Sequence, residues 1–163
     1  MNEEICPKTV LDACCGGRFM WFDKQHPNAL YIDIREVDEG TSTHRPKFCV
    51  KPDLIEDYRD LSFNDESFEL IVWDIPHKLK KDTGQISLKY GFLGENWEED
   101  TAQGFREVWR SLKPSGVLVF KWNDLDVKVS EMLKLFPVQP LFGTRSKKGV
   151  NNTYWILFKK EGY

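Results

Sequence analysis

The run Phe68-Glu69-Leu70-Ile71-Val72-Trp73 constrains the fold more than any other feature, because its four consecutive apolar residues leave no alternation between a wet and a dry face. Such a strand is buried on both faces, as in a parallel sheet, and parallel neighbours need crossover connections. Other stretches supply the neighbours. Thr9–Ala13 and Ala29–Asp33 are β-rich runs, Asp53–Asp57 and Val117–Phe120 are two more, and strands around residues 138–142 and 154–158 close the chain. The aromatic stretch Arg18–Gln25, stopped by Pro27-Asn28, reads as a helix between the first two strands. Residues 39–52 mix Gly, Ser, Thr and Pro and read as an excursion or hairpin.

From Glu98 the period changes. Ala102, Phe105, Trp109 and Leu112 recur at helical spacing, acids crowd the start at Glu98, Glu99 and Asp100, basic residues gather at the end, and Pro114-Ser115-Gly116 stops the helix. Asn123 then reads as an N-cap, with Val129, Met132, Leu133 and Phe136 as the buried stripe of a helix ended by Pro137. Strands alternating with helices imply an α/β fold with right-handed crossovers. At 163 residues and 40% hydrophobic the chain makes one domain over residues 1–163, with enough apolar side chain for a core.

Composition excludes several classes. No apolar run approaches the roughly 20 residues that span a bilayer, so no membrane partner is expected. The start, MNEEICPKT, carries two acids where a signal peptide carries basic residues, and the expected compartment is the cytoplasm. Cys6, Cys14, Cys15 and Cys49 form no CxxC pair, so they read as reduced thiols and no metal site is expected. A net charge of -3 argues against a dedicated duplex-DNA binder while leaving room for a local basic patch.

In sheets of this kind ligands sit outside the carboxyl ends of the strands. After the first strand come Asp12-Ala13-Cys14-Cys15-Gly16-Gly17, whose glycines permit a tight turn and close approach to the backbone. Asp33 ends the second strand, 21 residues after Asp12, about where an acid meets ribose hydroxyls. The GxGxxG spacing of a nicotinamide site is absent, and Asp12 sets a carboxylate beside the loop that would cradle a pyrophosphate. No GxxxxGKS/T loop is present either. A ligand with a ribose, a cationic end and no phosphate suits these positions, and S-adenosylmethionine is one.

VLDACCGG, YIDIRE, EDYRDLSFNDESFELIVWD and LKPSGVLVF together resemble the motifs of the class I S-adenosylmethionine-dependent methyltransferases, in order and across nearly the whole chain. The resemblance implies a Rossmann-like, seven-stranded, mostly parallel sheet with one antiparallel strand and helices on both faces. It also implies contacts to S-adenosyl-L-methionine. Asp12 with the Cys14, Gly16 and Gly17 backbone would hold the methionine part, Asp33 the ribose and Ile34 the adenine face. Asp57 would accept from the adenine amine, and the Tyr58 backbone would meet its ring nitrogen.

Asp74-Ile75-Pro76-His77 resembles the Asp/Asn/Ser-Pro-Pro-aromatic motif of amino-methyltransferases, with Ile75 and His77 as departures. An amide-like nitrogen is a poor nucleophile, so acceptors must draw on its N–H bonds during transfer. Asp74 and the Ile75 carbonyl are the candidate acceptors, and Pro76 shapes the turn. His77 is open to three readings: a stacking surface, a general base or a loop residue. Lys121 and Trp122 lie at the same edge as candidate substrate contacts, Trp122 either walling the pocket or packing in the core.

Lys78, Lys80, Lys81 and Lys89 interleave with Tyr90, Phe92 and Trp97, the composition of a nucleic-acid or ligand-covering loop or of a solvated face; Arg145, Lys147 and Lys148 form a second basic group. The expected function is N-methylation of a nucleobase-like amino group in DNA or RNA. The alternatives are methylation of a small metabolite or protein side chain, and a non-catalytic cofactor-binding module. Only residues 39–52, 78–97 and 143–152 remain for target recognition, so a sequence-specific DNA enzyme of this size would need a partner subunit or homo-oligomer.

Overall fold

The computed structural model describes residues 8–81, 84–144 and 151–162. In chain order the elements are β1 (Val10–Asp12), β2 (Ala29–Asp33), β3 (Leu54–Ile55), β4 (Phe68–Trp73), α1 (Gln85–Tyr90), α2 (Trp97–Ser111) and β5 (Leu112–Asn123). They continue with α3 (Val129–Met132), a 3-10 turn (Leu133–Leu135), β6 (Phe142–Gly143) and β7 (Thr153–Lys159). The strands form one seven-stranded sheet in the order β3-β2-β1-β4-β5-β7-β6. β1 to β5 run parallel, and β7 runs antiparallel to both β5 and β6. This is the α/β class expected from the sequence.

The chain winds one way from β1 to β3 and the other way from β4 onward, so the order reverses between β1 and β4. A crevice forms at the carboxyl ends of strands at such a point. Register sets what lines it: Asp12, the last residue of β1, sits opposite Tyr31 of β2 and Val72 of β4.

The core gathers around Trp73, Phe105, Phe120, Phe136 and Phe158, all buried. Phe105 stacks on Phe136 with ring centroids 4.4 Å apart, and Phe120 meets Phe136 edge-on at 5.2 Å. α2 buries Thr101, Gly104, Phe105 and Val108 on one face, and its three N-terminal acids and Arg110 suit the helix dipole. Gly104 is required by close approach: a Cβ there would sit 2.5 Å from the Tyr58 ring and 2.8 Å from Trp73.

Several expected boundaries move. α2 ends at Ser111, and Leu112 is already extended and paired with Phe68, so Pro114-Ser115-Gly116 does not separate helix from strand. These residues lie at an irregularity within β5, where Ser115 takes a φ of +63° and the register with β4 shifts between Phe68 and Leu70. Asn123 ends β5 and donates its side-chain amide to Asn151 O and Thr153 Oγ1; Lys128, not Asn123, precedes α3. The strand expected over 138–142 is confined to Phe142–Gly143, and the strand expected over 53–57 to Leu54–Ile55. The 39–52 excursion is closed by an antiparallel bridge between Val37 and Val50.

The helix expected over 18–25 does not form; the β1–β2 connection is a series of turns. Isolated short helices are marginal without a packed face, and these aromatics share none: Trp21 turns inward while Phe22 is fully exposed. Arg18, at a φ of +52°, instead ties the turns together by donating to Lys24 O and Lys51 O. Cys14, Cys15 and Cys49 are free thiols, and Cys6 with the basic group Arg145, Lys147 and Lys148 lies outside the described residues. Among the described residues no helix is long and apolar enough to cross a membrane, and no group of three or more His, Cys, Asp or Glu could hold a metal.

Candidate active site

Three carboxylates end three adjacent strands: Asp12 on β1, Asp33 on β2 and Asp74 just after β4. Asp12 is fully buried, accepting from Trp21 Nε1 at 2.7 Å and from the Cys14 N–H at 3.4 Å. Burial pushes its carboxyl up to about 7, the Trp21 hydrogen bond opposes this, and the charges of Asp74 and Asp33 add to it. Burial, then the charges of Asp33 and Asp74, likewise raises the neighbouring Cys14 thiol well above its ordinary range. Gly16 turns at a φ of +47°, a conformation that favours glycine, and the nearest atom to a Cβ there would be Lys89 O at 3.9 Å.

Asp33, the expected ribose contact, is already engaged by protein donors. Its side chain is inaccessible; Oδ2 accepts from the Gly16 N–H at 2.9 Å, and Oδ1 from the Arg35 N–H at 2.9 Å and Arg35 Nε at 3.2 Å. The Arg35 guanidinium reaches on to Leu88 O at 3.2 Å and Lys89 O at 3.3 Å, which ties β2 to the last turn of α1. Arg35 therefore holds the lone pairs that a ribose would use. Ile34, between them, is 54% exposed and offers an apolar face.

Asp57 is engaged as well. Arg59 donates to it from its backbone and from Nε and a terminal nitrogen, at 2.6 to 3.0 Å, and bonds Asp100 at 2.8 Å. Burial works to raise the Asp57 carboxyl, but the Arg59 hydrogen bonds and charge outweigh it and hold it below its ordinary range. The Tyr58 ring packs edge-on against Trp73 at 5.6 Å, and burial raises its phenol.

At the β4 turn, Asp74 Oδ2 accepts from Lys121 Nζ at 2.6 Å. His77 Nε2 lies 3.1 Å from Asp74 Oδ1. That pair is close but out of line, so the buried Nε2 has no hydrogen-bond partner among the described residues. Ile75 is buried, anchoring the turn in the core. Trp122 is a correction: it is fully buried, donates Nε1 to Val127 O at 3.0 Å and stacks near Phe120, so it packs the core and touches the site only through the His77 ring at 5.2 Å. Pro76 lies beside Gly91, whose added Cβ would come within 3.4 Å of Pro76 Cγ and 3.7 Å of Arg35.

Asp12, the glycine loop, Asp33, Ile34 and the β4 turn thus share one edge, while Asp57 and Tyr58 are tied to Arg59 and Trp73. Reading the sequence missed Trp21, Arg35 and α1. Arg35 had a local signal, since an arginine two residues after a strand-ending acid can fold back onto it; its contact with α1 had none.

No family model matches the chain, and no curated protein does. Solved structures do. The cyclase SpnF superposes with a TM-score of 0.58 at 12% identity, over 94% of this chain and 74% of that one. A SAM-dependent methyltransferase from Methanosarcina mazei gives 0.52 at 15% identity, over 94% and 92%. The PH0226 protein of Pyrococcus horikoshii gives 0.52 at 17%, over 93% and 81%. The chain has the Rossmann-like fold of S-adenosylmethionine-dependent methyltransferases. At these identities the likeness is one of fold, and a cyclase among the neighbours means that fold alone does not choose the reaction.

Proposed function

We propose that the chain binds S-adenosylmethionine at the Gly16 turn and methylates an amino nitrogen of a nucleobase-like acceptor held at Asp74-Ile75-Pro76-His77. The observation that carries this reading is the β4 turn: a carboxylate oxygen and an unpartnered, buried imidazole nitrogen 3.1 Å apart, at the carboxyl end of a central strand. The site suits an adenosyl ligand, because Gly16 leaves the backbone open, Ile34 presents an exposed apolar face, and Asp12, Asp33 and Asp74 bring carboxyl oxygens to the ends of three adjacent strands.

The bound cofactor supplies an electrophilic methyl group. The chain's own part is positioning and proton handling. Asp74 Oδ1 accepts an N–H of the acceptor amine, drawing electron density toward the nitrogen, while Lys121 fixes Oδ2 and so the plane of the carboxylate. The proton that the amine sheds passes to Asp74 Oδ1, and His77 Nε2, buried 3.1 Å behind that oxygen, is placed to take it on. Arg35 gives way at Asp33 when the ribose enters.

Two measurements test this. S-adenosylhomocysteine at roughly 100 times its dissociation constant should stabilise the protein by about 2.7 kcal/mol, where NAD does nothing. Asp74→Ala should then cut transfer of labelled methyl to a nucleobase amine by about 100-fold or more while keeping the thermal shift. Full transfer by Asp74→Ala would remove the acceptor assignment.

A further inference from the structure

A cleft of about 890 Å³ in the described structure shares only Gly16 and Gly17 with the candidate site residues. It opens between the β1–β2 turns and the 45–51 arm, and its lining is strongly basic in a chain of net charge -3. Some of that charge is already matched. Lys8 and Arg18 both reach Asp53, and Lys51 pairs with Glu36 and Asp38. Lys24, Arg45 and Lys47 are exposed and have no carboxylate partner among the described residues. Lys24 Nζ lies 5.3 Å from the Phe19 ring centroid and the Arg45 guanidinium 5.6 Å, so the unmatched charge is gathered around one aromatic surface.

That surface leads to the acceptor turn. Phe48 stacks on Phe19 at 5.7 Å, and Phe19 meets Tyr90 at 6.0 Å. Gly91, next after Tyr90, lies against Pro76. Phe19 and Tyr90 are each 42% exposed, although both are large and apolar-bodied. Gly17 makes the arrangement possible, since a Cβ there would come within 2.9 Å of both Phe19 and Phe48.

We propose that this cleft is the docking groove for a single strand of nucleic acid, with phosphates on Arg45, Lys47 and Lys24 and unpaired bases against Phe19 and Tyr90, leading the target base to Asp74. The proposal rests on the acceptor reading above and names its substrate class. Unmatched cations beside exposed rings recognise a polyanion that carries flat faces, and only unpaired bases offer those faces for stacking. An acidic peptide would answer to the charge but not to the rings.

The test is fluorescence anisotropy of a labelled single-stranded oligonucleotide without methyl donor, beside its duplex, polyglutamate and a mononucleotide. The single strand should bind best. Arg45→Ala with Lys47→Ala should flatten the dependence of log K on log salt by about 1.4, since each phosphate of a single strand that a cation neutralises contributes roughly 0.7 to that slope. Phe19→Ala should weaken binding about tenfold and leave that slope unchanged. Arg45 and Lys47 are exposed, so their variants fold; a thermal melt checks Phe19→Ala. Equal or tighter binding of duplex, polyglutamate or mononucleotide, or indifference to all the substitutions, overturns the groove. Strand binding with these dependencies but no methyl transfer would sink the acceptor reading alone. Transfer to a free nucleoside without strand binding would sink the groove alone.

Discussion

The two halves of the sheet are held together by different forces. On the β4-β5-β7 side, Trp73, Phe105, Phe120, Phe136 and Phe158 interlock in a dry core under α2. β1, β2 and the turn after β1 lend Leu11, Ile32 and Ala13 to that core, but the apolar cluster of the β1-β2-β3 side's own is small, with Cys15, Ala29 and Tyr31 buried and Val10 and Trp21 packed on it. There the work falls to Arg18, which lies 3.7 Å over the Tyr31 ring and bonds two carbonyls, and to Arg35, which ties Asp33 to α1. Hydrophobic burial is non-directional and hard to undo locally, whereas a few directed hydrogen bonds can be exchanged for those of a ligand. The dry half carries the Asp74 turn, and the polar half carries Asp33 and the Gly16 turn.

Four substitutions would break or sharpen this contrast. Phe105→Ala, in the dry half, should cost about 3 to 5 kcal/mol in urea unfolding; a loss below 1 kcal/mol would mean that the core is not the anchor. Asp12→Asn probes the polar half through pH. Folded Asp12 keeps its proton up to about 7, while the unfolded chain releases it in the ordinary carboxylate range. Over that interval the unfolded state binds fewer protons, so wild-type stability should fall as pH rises from about 4 to 7. The variant should lose this slope, melting several degrees above wild type at about pH 8 and level with it at about pH 4. A parallel pair of pH curves would show Asp12 to be ionised in the fold.

Arg35→Ala should tighten S-adenosylhomocysteine binding several-fold, because Asp33 is freed before the ribose arrives. Weaker binding measured by calorimetry would make Arg35 itself a ligand contact and would take the ribose away from Asp33. The smallest effect belongs to Lys113→Ala, which removes a surface pair with Glu69 at 3.3 Å. No shift in thermal midpoint is expected, since exposed pairs contribute little, and a marked loss would mean that charge also holds the dry half.

Where packing and local sequence agree, the reading was close. β4 was legible from its apolar run and α2 from its period, because hydrophobic periodicity and flanking charge are local properties that the tertiary fold reinforces. The 18–25 stretch failed because its aromatic content looks helical only if the rings share a face, and the structure sends Trp21 to Asp12 and Phe22 to solvent. Trp122 was ambiguous for a related reason. Two residues beyond a short apolar run, nothing local tells which face of an extended β5 is dry.

By itself the sequence determined the class of fold, the carboxylates that end β1 and β2, and the turn after β4, because each is written in a few consecutive residues. Only the tertiary structure decided whether those carboxylates are available. Arg35 closes on Asp33 and reaches a helix more than 50 residues away, Arg59 closes on Asp57 and Asp100, and Lys24, Arg45 and Lys47 become one basic cleft. Such pairings depend on which loops the sheet order brings side by side, and charge attracts across space with no regard for distance along the chain.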